Sequence, residues 1–70
     1  MVHDFYINVG NKLRKKRLKK GFTQTQLAEK IGYESPTAIS LWEDATNRIP
    51  LAALVDIAKV LEVRIGYFLK

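Results

Sequence analysis

Two helix-start signals lie only twelve residues apart in this sequence, so the helices that they begin must be short. Thr23 is followed three residues later by Gln26, which is the spacing of a capping box. Ser35 is followed by Pro36, a preferred pair for the N-cap and the first position of a helix. Gly32 lies between the two signals and predicts the end of the earlier helix. The pattern predicts two short helices joined by a tight turn that contains glycine, which is a helix-turn-helix unit.

Helical periodicity on both sides of this unit predicts an all-α fold, a compact bundle of five short helices. The first helix is expected over residues 4–20, with Asp4 as its N-cap and Gly21 just after its end. Gly10 within this helix is expected to permit the close approach of another helix. The third helix is expected over residues 35–43, the fourth over residues 51–61, and a last turn over residues 65–69. The inward-facing residues are expected to include Leu27, Ala28, Ile31, Ile39, Trp42, Leu54, Ile57, Ala58 and Leu61.

Composition excludes several classes of function. The 70 residues suffice for one small domain, and the absence of cysteine excludes disulfides, cysteine-based zinc sites and thiol catalysis. His3 has no second histidine with which to share a metal, and the sequence has no glycine-rich phosphate loop. We therefore expect no metal, no cofactor, no small-molecule ligand and no enzymatic activity. No apolar run approaches the roughly 18 residues of a membrane span, and the first residues lack a signal-peptide pattern, so we expect a cytoplasmic protein without a membrane partner.

The net charge of +5 is concentrated in one segment. Seven basic residues fall within nine positions of the first helix: Lys12, Arg14, Lys15, Lys16, Arg17, Lys19 and Lys20. Such a cluster suits a polyphosphate, an anionic lipid surface or an acidic partner. The alternative is a basic helix face that is simply solvated.

A specific set of residues extends over most of the chain: Val9-Gly10, Leu13-Arg14 and Arg17, Gly21-Phe22-Thr23-Gln24 and Leu27-Ala28, Ile31-Gly32, Ala38-Ile39-Ser40, Trp42-Glu43, Pro50, Leu54, Ile57-Ala58, Leu61 and Val63. In this order and spacing they resemble the Cro and lambda-repressor type of helix-turn-helix domain. The resemblance places that domain at residues 9–69, after a segment 1–8 that leads into the first helix, and the helix-turn-helix unit at about residues 24–43. It implies a lambda-repressor-like fold and sequence-specific binding of double-stranded DNA by a small transcriptional regulator, a repressor, with residues 35–43 as the recognition helix in the major groove.

The resemblance also implies roles for individual residues. Gln24 is expected to bind a DNA phosphate and to brace the recognition helix. Arg17 and Glu43 are expected to form a structural ion pair between the first helix and the end of the third. Asn47 and Arg48, in the loop that follows, are expected to contact phosphates or the minor groove. The remaining expected DNA contacts are made by Ser35, near the DNA backbone, and by the base-contacting residues Pro36, Thr37, Ala38, Ser40 and Leu41.

This base-contacting set is unusually apolar. It lacks the arginine that commonly contacts guanine and the glutamine or asparagine that commonly contacts adenine. Thr37 and Ser40 can each supply one ambiguous hydrogen bond, whereas Ala38, Leu41 and the Thr37 methyl can contact thymine methyl groups. We therefore expect modest direct readout, supplemented by DNA shape.

The sequence departs from the family pattern in the loop and near the C-terminus. Asp44-Ala45 replace a polar or basic residue and a glycine, and Glu62 stands where a helix-ending glycine is usual. An acid beside DNA phosphates is repulsive unless it accepts a hydrogen bond from cytosine N4.

Other functions and the oligomeric state stay open on the sequence alone. A protein-interaction or antitoxin-like module with the same fold is the main alternative, and a membrane-surface helix is a third possibility because the first helix is basic. We expect a homodimer, since two-fold dimers that bind two DNA half-sites are common among such domains. Four apolar residues near the C-terminus are candidates for that contact: Val63, Ile65, Tyr67 and Phe68. The alternative is that Ile65 and Phe68 cover the monomer core.

Overall fold

Five helices account for the regular structure in this computed structural model, which describes the backbone of residues 2–70 and the side chains of residues 4–70. The helices are α1 (Val2–Lys19), α2 (Gln24–Lys30), α3 (Thr37–Glu43), α4 (Leu51–Val60) and α5 (Gly66–Leu69). Residues 2–70 contain no strand. The predicted all-α, five-helix class is confirmed.

Helix α1 begins earlier than the sequence indicated. It starts at Val2, so Asp4 lies in its first turn and the prediction of Asp4 as the N-cap was wrong. An acid in the first turn still stabilises a helix, because it faces the positive end of the helix dipole. A favourable charge and a true cap therefore look alike in the sequence. Helix α1 ends at Lys19, close to the expected end.

Helix α2 begins as predicted. The Gln26 backbone N–H donates to Thr23 Oγ1 at 3.0 Å, and the Thr23 N–H donates to Gln26 Oε1 at 2.8 Å, so both bonds of the capping box are present. Beyond the helix, Gly32 has a φ of +86°, a left-handed conformation that glycine adopts without a Cβ clash. The turn to α3 depends on that conformation.

Helix α3 begins two residues after Ser35, and the prediction of Ser35 as its N-cap was wrong. Pro36 occupies the N-cap position with no side-chain capping bond. The Ser35 hydroxyl instead donates to Thr37 Oγ1 at 3.3 Å. The backbone of Pro36 is already close to helical geometry, with φ −77° and ψ −2°. A proline that precedes a helix and a proline at its first position have similar φ values, so the sequence pattern predicted a start that is too early.

The core lies where all five helices meet. Leu54, Ile57, Ala58 and Leu61, which the periodicity of α4 placed inward, are all buried. Phe68 is only 1% exposed, so it is part of the monomer core and is not available for a contact between two copies of the chain. The buried apolar residues are Val9, Leu13, Leu27, Ala28, Ile39, Trp42, Ile49, Ala53, Leu54, Ile57, Ala58, Leu61 and Phe68.

Two non-glycine residues adopt left-handed backbone conformations just after helices α3 and α4. Ala45 has a φ of 62° and Glu62 a φ of 60°. Both stand where the resemblance described above leads to the expectation of a glycine, so the chain adopts the helix-ending geometry without the residue type that favours it. A side chain in this region costs roughly 1–2 kcal/mol.

Candidate nucleic-acid interface

The position of α3 is set first by an unusually close contact with α1. A Cβ atom added at Gly10 would lie 2.6 Å from the carbonyl oxygens of both Trp42 and Glu43, at the end of α3. Ordinary contacts of a Cβ atom begin at about 3.4 Å. The expected role of Gly10 in a close helix approach is confirmed, and the partner helix is α3.

A buried ion pair reinforces the same contact. Arg17 of α1 donates from Nε to Glu43 Oε2 at 2.6 Å and from Nη2 to Glu43 Oε1 at 3.1 Å. Its Nη1 donates to the Phe22 carbonyl oxygen at 2.8 Å, in the segment that leads into α2. Arg17 and Glu43 are 6% and 8% exposed, and the structure therefore places this expected pair inside the fold, where Arg17 is not available to DNA.

Gln24 joins this network from the first position of α2. Its Nε2 donates to Glu43 Oε1 at 3.0 Å, so helices α1, α2 and α3 meet at one carboxylate. A side-chain amide nitrogen has two N–H donors. One is used by Glu43, and no second hydrogen bond from this nitrogen is found among the described residues.

The exposed face of α3 and the loop after it form one shallow groove. Ser35, Thr37, Ala38 and Leu41 line it together with Asn47 and Arg48, which had been singled out in the sequence, and with Trp42, Thr46 and Pro50. Trp42 is a core residue, 6% exposed, as its helical phase with Ile39 predicted. Pro36 is half-buried beside this groove and does not line it.

Ser40 and Gln24 line a second, polar cleft between α1 and α3. The other residues that line this cleft are Asn11, Arg14, Arg17, Glu43 and Asp44. Sequence reasoning did not select Asn11 or Arg14. The available clue was spacing, because Arg14 lies four residues after Gly10 and three before Arg17, on the face of α1 that meets α3.

Asp44 has a local structural role at the start of the loop. Its Oδ1 accepts the Thr46 backbone N–H at 2.9 Å. Hydrogen bonds from the side chain and the backbone of Thr46 hold the pKa of Asp44 below its ordinary value. The ionised carboxylate is therefore stabilised beside the polar cleft, where it adds a negative charge.

Three lysines of the basic cluster contact residues of the C-terminal segment 62–70. Lys12 donates from Nζ to the Lys70 carbonyl oxygen at 2.8 Å, and Lys20 pairs with Glu62 at 3.2 Å. The Nζ atoms of Lys12 and Lys16 also lie 5.9 and 5.5 Å from the centre of the Tyr67 ring. The basic residues are close together in the sequence, as predicted, but their side chains do not form one surface that could face DNA.

The described residues contain neither a membrane-spanning helix nor a cluster of metal ligands. None of the helices among residues 2–70 is long and apolar enough to cross a membrane. No group of three histidine, cysteine or acidic side chains within residues 4–70 is placed to hold a metal ion, and the side chain of His3 lies outside that range.

The comparisons with known proteins agree on a family. A helix-turn-helix family model matches residues 13–68. An uncharacterized transcriptional regulator in the ATPase CF(0) region of Rhodospirillum rubrum is 39% identical over 67 residues, which are 96% of this chain and 61% of that protein. An uncharacterized HTH-type transcriptional regulator of Sinorhizobium medicae is 32% identical over 62 residues, 89% of this chain and 44% of its own length. The chain thus spans about half the length of these curated relatives.

A solved structure has the same fold. The restriction-modification controller protein C.AhdI from Aeromonas hydrophila superposes with a TM-score of 0.83 over 90% of this chain and 94% of that one, at 22% sequence identity. This likeness covers most of the chain and confirms the predicted lambda-repressor-like fold.

Proposed function

Because this chain belongs to the helix-turn-helix family of the Cro and lambda-repressor type, we propose that it binds double-stranded DNA as a non-enzymatic transcriptional regulator. In this proposal α3 enters the major groove and the helix-turn-helix unit is residues 24–43, within a domain of residues 9–69. The observation that carries the proposal is the shared groove, in which the exposed residues of α3 and the polar residues of the following loop lie side by side. Such a surface can contact bases and phosphates together.

Phosphate contacts are proposed on two sides of α3. Gln24 offers its second amide N–H at the start of α2, and Arg14 lies in the same cleft. Asn47 and Arg48 lie across the groove, in the loop between α3 and α4. These four residues would fix the orientation of the domain on the duplex without reading the sequence.

Base contacts are proposed from the surface of α3. Leu41 and Ala38 are half-buried, and Thr37 is exposed beside them. The Thr37 hydroxyl oxygen accepts a hydrogen bond from Ser35, which occupies part of its polar capacity and favours contact through its methyl group. Ser40, in the adjoining cleft, supplies a further hydroxyl, and Pro36 lies against the DNA at the start of the helix. The surface therefore suits thymine methyl groups.

The proposal is tested by selecting duplexes from a random pool at two salt concentrations. We expect enrichment of one motif and a fall in affinity as salt rises, because phosphate contacts release counterions. Leu41→Ala should weaken binding to the selected duplex, whereas Leu18→Ala, at a 56% exposed position that lines neither cleft, should not. The absence of binding by the wild-type protein even at low salt would refute the function.

The thymine contacts have a sharper test on the selected duplex. Replacement of one thymine by deoxyuridine removes only the C5 methyl group. We expect a loss of about fourfold in affinity where Leu41 covers that methyl, from roughly 0.8 kcal/mol per buried methyl-sized group. The same replacement should have no effect on Leu41→Ala, which no longer covers the position. Equal sensitivity of both proteins would exclude Leu41 as the contact.

We also propose that the regulator is a cytoplasmic homodimeric repressor. Val63, Ile65 and Tyr67 remain half-buried near the C-terminus, and Leu69 is 46% exposed beside them, so apolar surface is available for a second copy. A dimer would bind two half-sites about one helical turn apart, and a palindromic selected motif would support it. Sedimentation equilibrium measures the state directly, and a promoter–reporter assay separates repression from activation.

A protein-interaction module, such as an antitoxin-like protein, is the alternative function. The apolar surface of Ala38 and Leu41 and the ionised Asp44 favour it, because a DNA surface usually presents more cations. Failure of the duplex selection together with a stable complex of the folded protein would favour this alternative.

A further inference from the structure

An aromatic side chain of α1 lies against the single cation of the loop between α3 and α4. The Arg48 Cζ atom lies over the Tyr6 ring, 5.7 Å from its centre. Tyr6 is half-buried and packs against the core, so the ring has a fixed support, whereas Arg48 is exposed. Within residues 44–50 Arg48 is the only lysine or arginine. The contact therefore involves the one side chain of this loop that can neutralise a phosphate charge.

Tyr6 reaches Arg48 because α1 extends well before the residues that the family model matches. The family model begins its match at residue 13, and Tyr6 lies nearly two turns of helix before that point. Helix α1 starts at Val2 and runs through this segment without a break. The first turns of α1 thus bring an aromatic ring to the edge of the groove formed by α3 and the loop.

A cation–π contact leaves N–H groups of an arginine available for another partner. The guanidinium group has five N–H donors, and the attraction to the ring is electrostatic and uses none of them in a hydrogen bond to an acceptor atom. A long side chain held in one orientation also loses less conformational entropy when it binds a ligand. An Arg48 side chain held over the Tyr6 ring is therefore better prepared for a phosphate than a freely rotating arginine would be.

We infer that Tyr6 is a positioning residue for Arg48, which it holds at the edge of the recognition groove for contact with a phosphate of the DNA backbone. The inference rests on the proposed function. It requires the aromatic ring and not the hydroxyl group, so Tyr6→Phe should behave as the wild-type protein. Tyr6→Leu keeps an apolar side chain on the core and removes the ring.

The test is a double-mutant cycle of Tyr6→Leu and Arg48→Met on the selected duplex, with affinity measured by fluorescence anisotropy over a series of salt concentrations. We expect Tyr6→Leu to lose about two- to fivefold in affinity. Arg48→Met should reduce the slope of log affinity against log salt by about 0.9, the value for one phosphate contact. Tyr6→Leu should move the salt slope toward that of Arg48→Met. In a protein that already carries Arg48→Met, Tyr6→Leu should cause no further loss of affinity. A role of Tyr6 in stability alone would leave the slope unchanged.

Several results would overturn the inference. Equal losses from Tyr6→Leu with and without Arg48, an unchanged salt slope, or a Tyr6→Phe variant as weak as Tyr6→Leu would each do so. NMR of the free wild-type protein gives an independent check that survives any failure of a variant to fold. The Arg48 side-chain protons should be shifted upfield by the Tyr6 ring, and random-coil shifts would refute the contact itself. If the wild-type protein binds no duplex, the proposed function falls, and the role of Tyr6 falls with it.

Discussion

Gly10→Ala should destabilise the protein, although alanine is the better helix former. Gly10 is inside α1, where the exchange by itself would favour the folded state by about 1 kcal/mol. The added Cβ, however, would lie 2.6 Å from two backbone carbonyl oxygens at the end of α3, and Cβ contacts closer than 3.0 Å are essentially never seen. Helices α1 and α3 must therefore separate by roughly 0.4 Å or more, because a backbone carbonyl cannot rotate away as a flexible side chain can.

The cost of this separation exceeds the gain in helix propensity. Overpacking in a close-packed interior costs typically 1–3 kcal/mol, and here the same movement also lengthens the hydrogen bonds between Arg17 and Glu43. Because the ion pair is stretched as well, we take the upper end of that range, about 3 kcal/mol, and subtract the propensity gain of about 1 kcal/mol, so Gly10→Ala should lose about 2 kcal/mol of unfolding free energy. For a domain of this size the loss corresponds to a Tm lower by roughly 8–16 °C.

Gly66→Ala provides the matched control for this experiment. The substitution is the same and also lies in a helix, but a Cβ at Gly66 would meet no heavy atom within 4 Å. We expect this variant to be unchanged or stabilised by up to about 1 kcal/mol. Thermal unfolding followed by circular dichroism compares the two variants with the wild-type protein. A Gly10→Ala protein that melts at or above the wild-type temperature would refute the argument from the close contact.

Three further predictions concern the residues around the end of α3. Glu43→Leu should lower the unfolding free energy, measured in urea, by about 3–5 kcal/mol, because it leaves Arg17 buried and unpaired. The double variant Arg17→Met/Glu43→Leu should recover most of that loss, and a double variant as unstable as the single one would contradict the prediction. Ala45→Gly should raise the unfolding free energy by about 1 kcal/mol, and the Tm by roughly 4–8 °C, since it relieves a residue with a φ of 62°, and an unchanged Tm would exclude strain there. Because the pKa of Asp44 is lowered in the folded state, its ionised form stabilises the fold above its ordinary pKa of 3.8, and this contribution is lost as pH falls through the lower folded pKa. Asp44→Asn should remove that part of the acid sensitivity, which is measured by melting at several pH values. It should also raise duplex affinity about two- to fivefold in fluorescence anisotropy, because it removes a negative charge near the phosphates. Weaker binding by the variant would indicate that Asp44 contacts a base.

The elements that local chemistry determines were predictable from the sequence. The capping box at Thr23 involves two residues three positions apart, and its hydrogen bonds need no contact with another helix. The buried faces of α3 and α4 follow from helical periodicity, which correctly placed Trp42 and Leu54 in the core. The prediction failed where several local choices were acceptable: Asp4 and Ser35 both resemble N-caps, yet α1 begins earlier and α3 later.

The parts of the site that depend on packing between helices were much harder to predict. Charge does not distinguish Arg14, which lies in the cleft beside Gln24, from Lys12, which donates to the Lys70 carbonyl oxygen. Only the helical spacing of Arg14 from Gly10 and Arg17 separates the two residues in the sequence. The face on which each cation lies is decided by the rotation of α1 against α3 and α5, and that rotation depends on the contact at Gly10.

The geometry separates the residues that orient α3 from the residues that would read DNA. Glu43 accepts hydrogen bonds from Arg17 of α1 and from Gln24 of α2, and none of the buried side-chain nitrogen or oxygen atoms among residues 4–70 lacks a partner. A satisfied buried network of this kind fixes the orientation of α3 without using its exposed surface. Substitutions at Leu41 should therefore change which sequences are preferred, whereas substitutions at Glu43 should weaken binding to all duplexes by a similar factor. The domain could in this way acquire a new operator through changes on the surface of α3, with no change in how the helix is held.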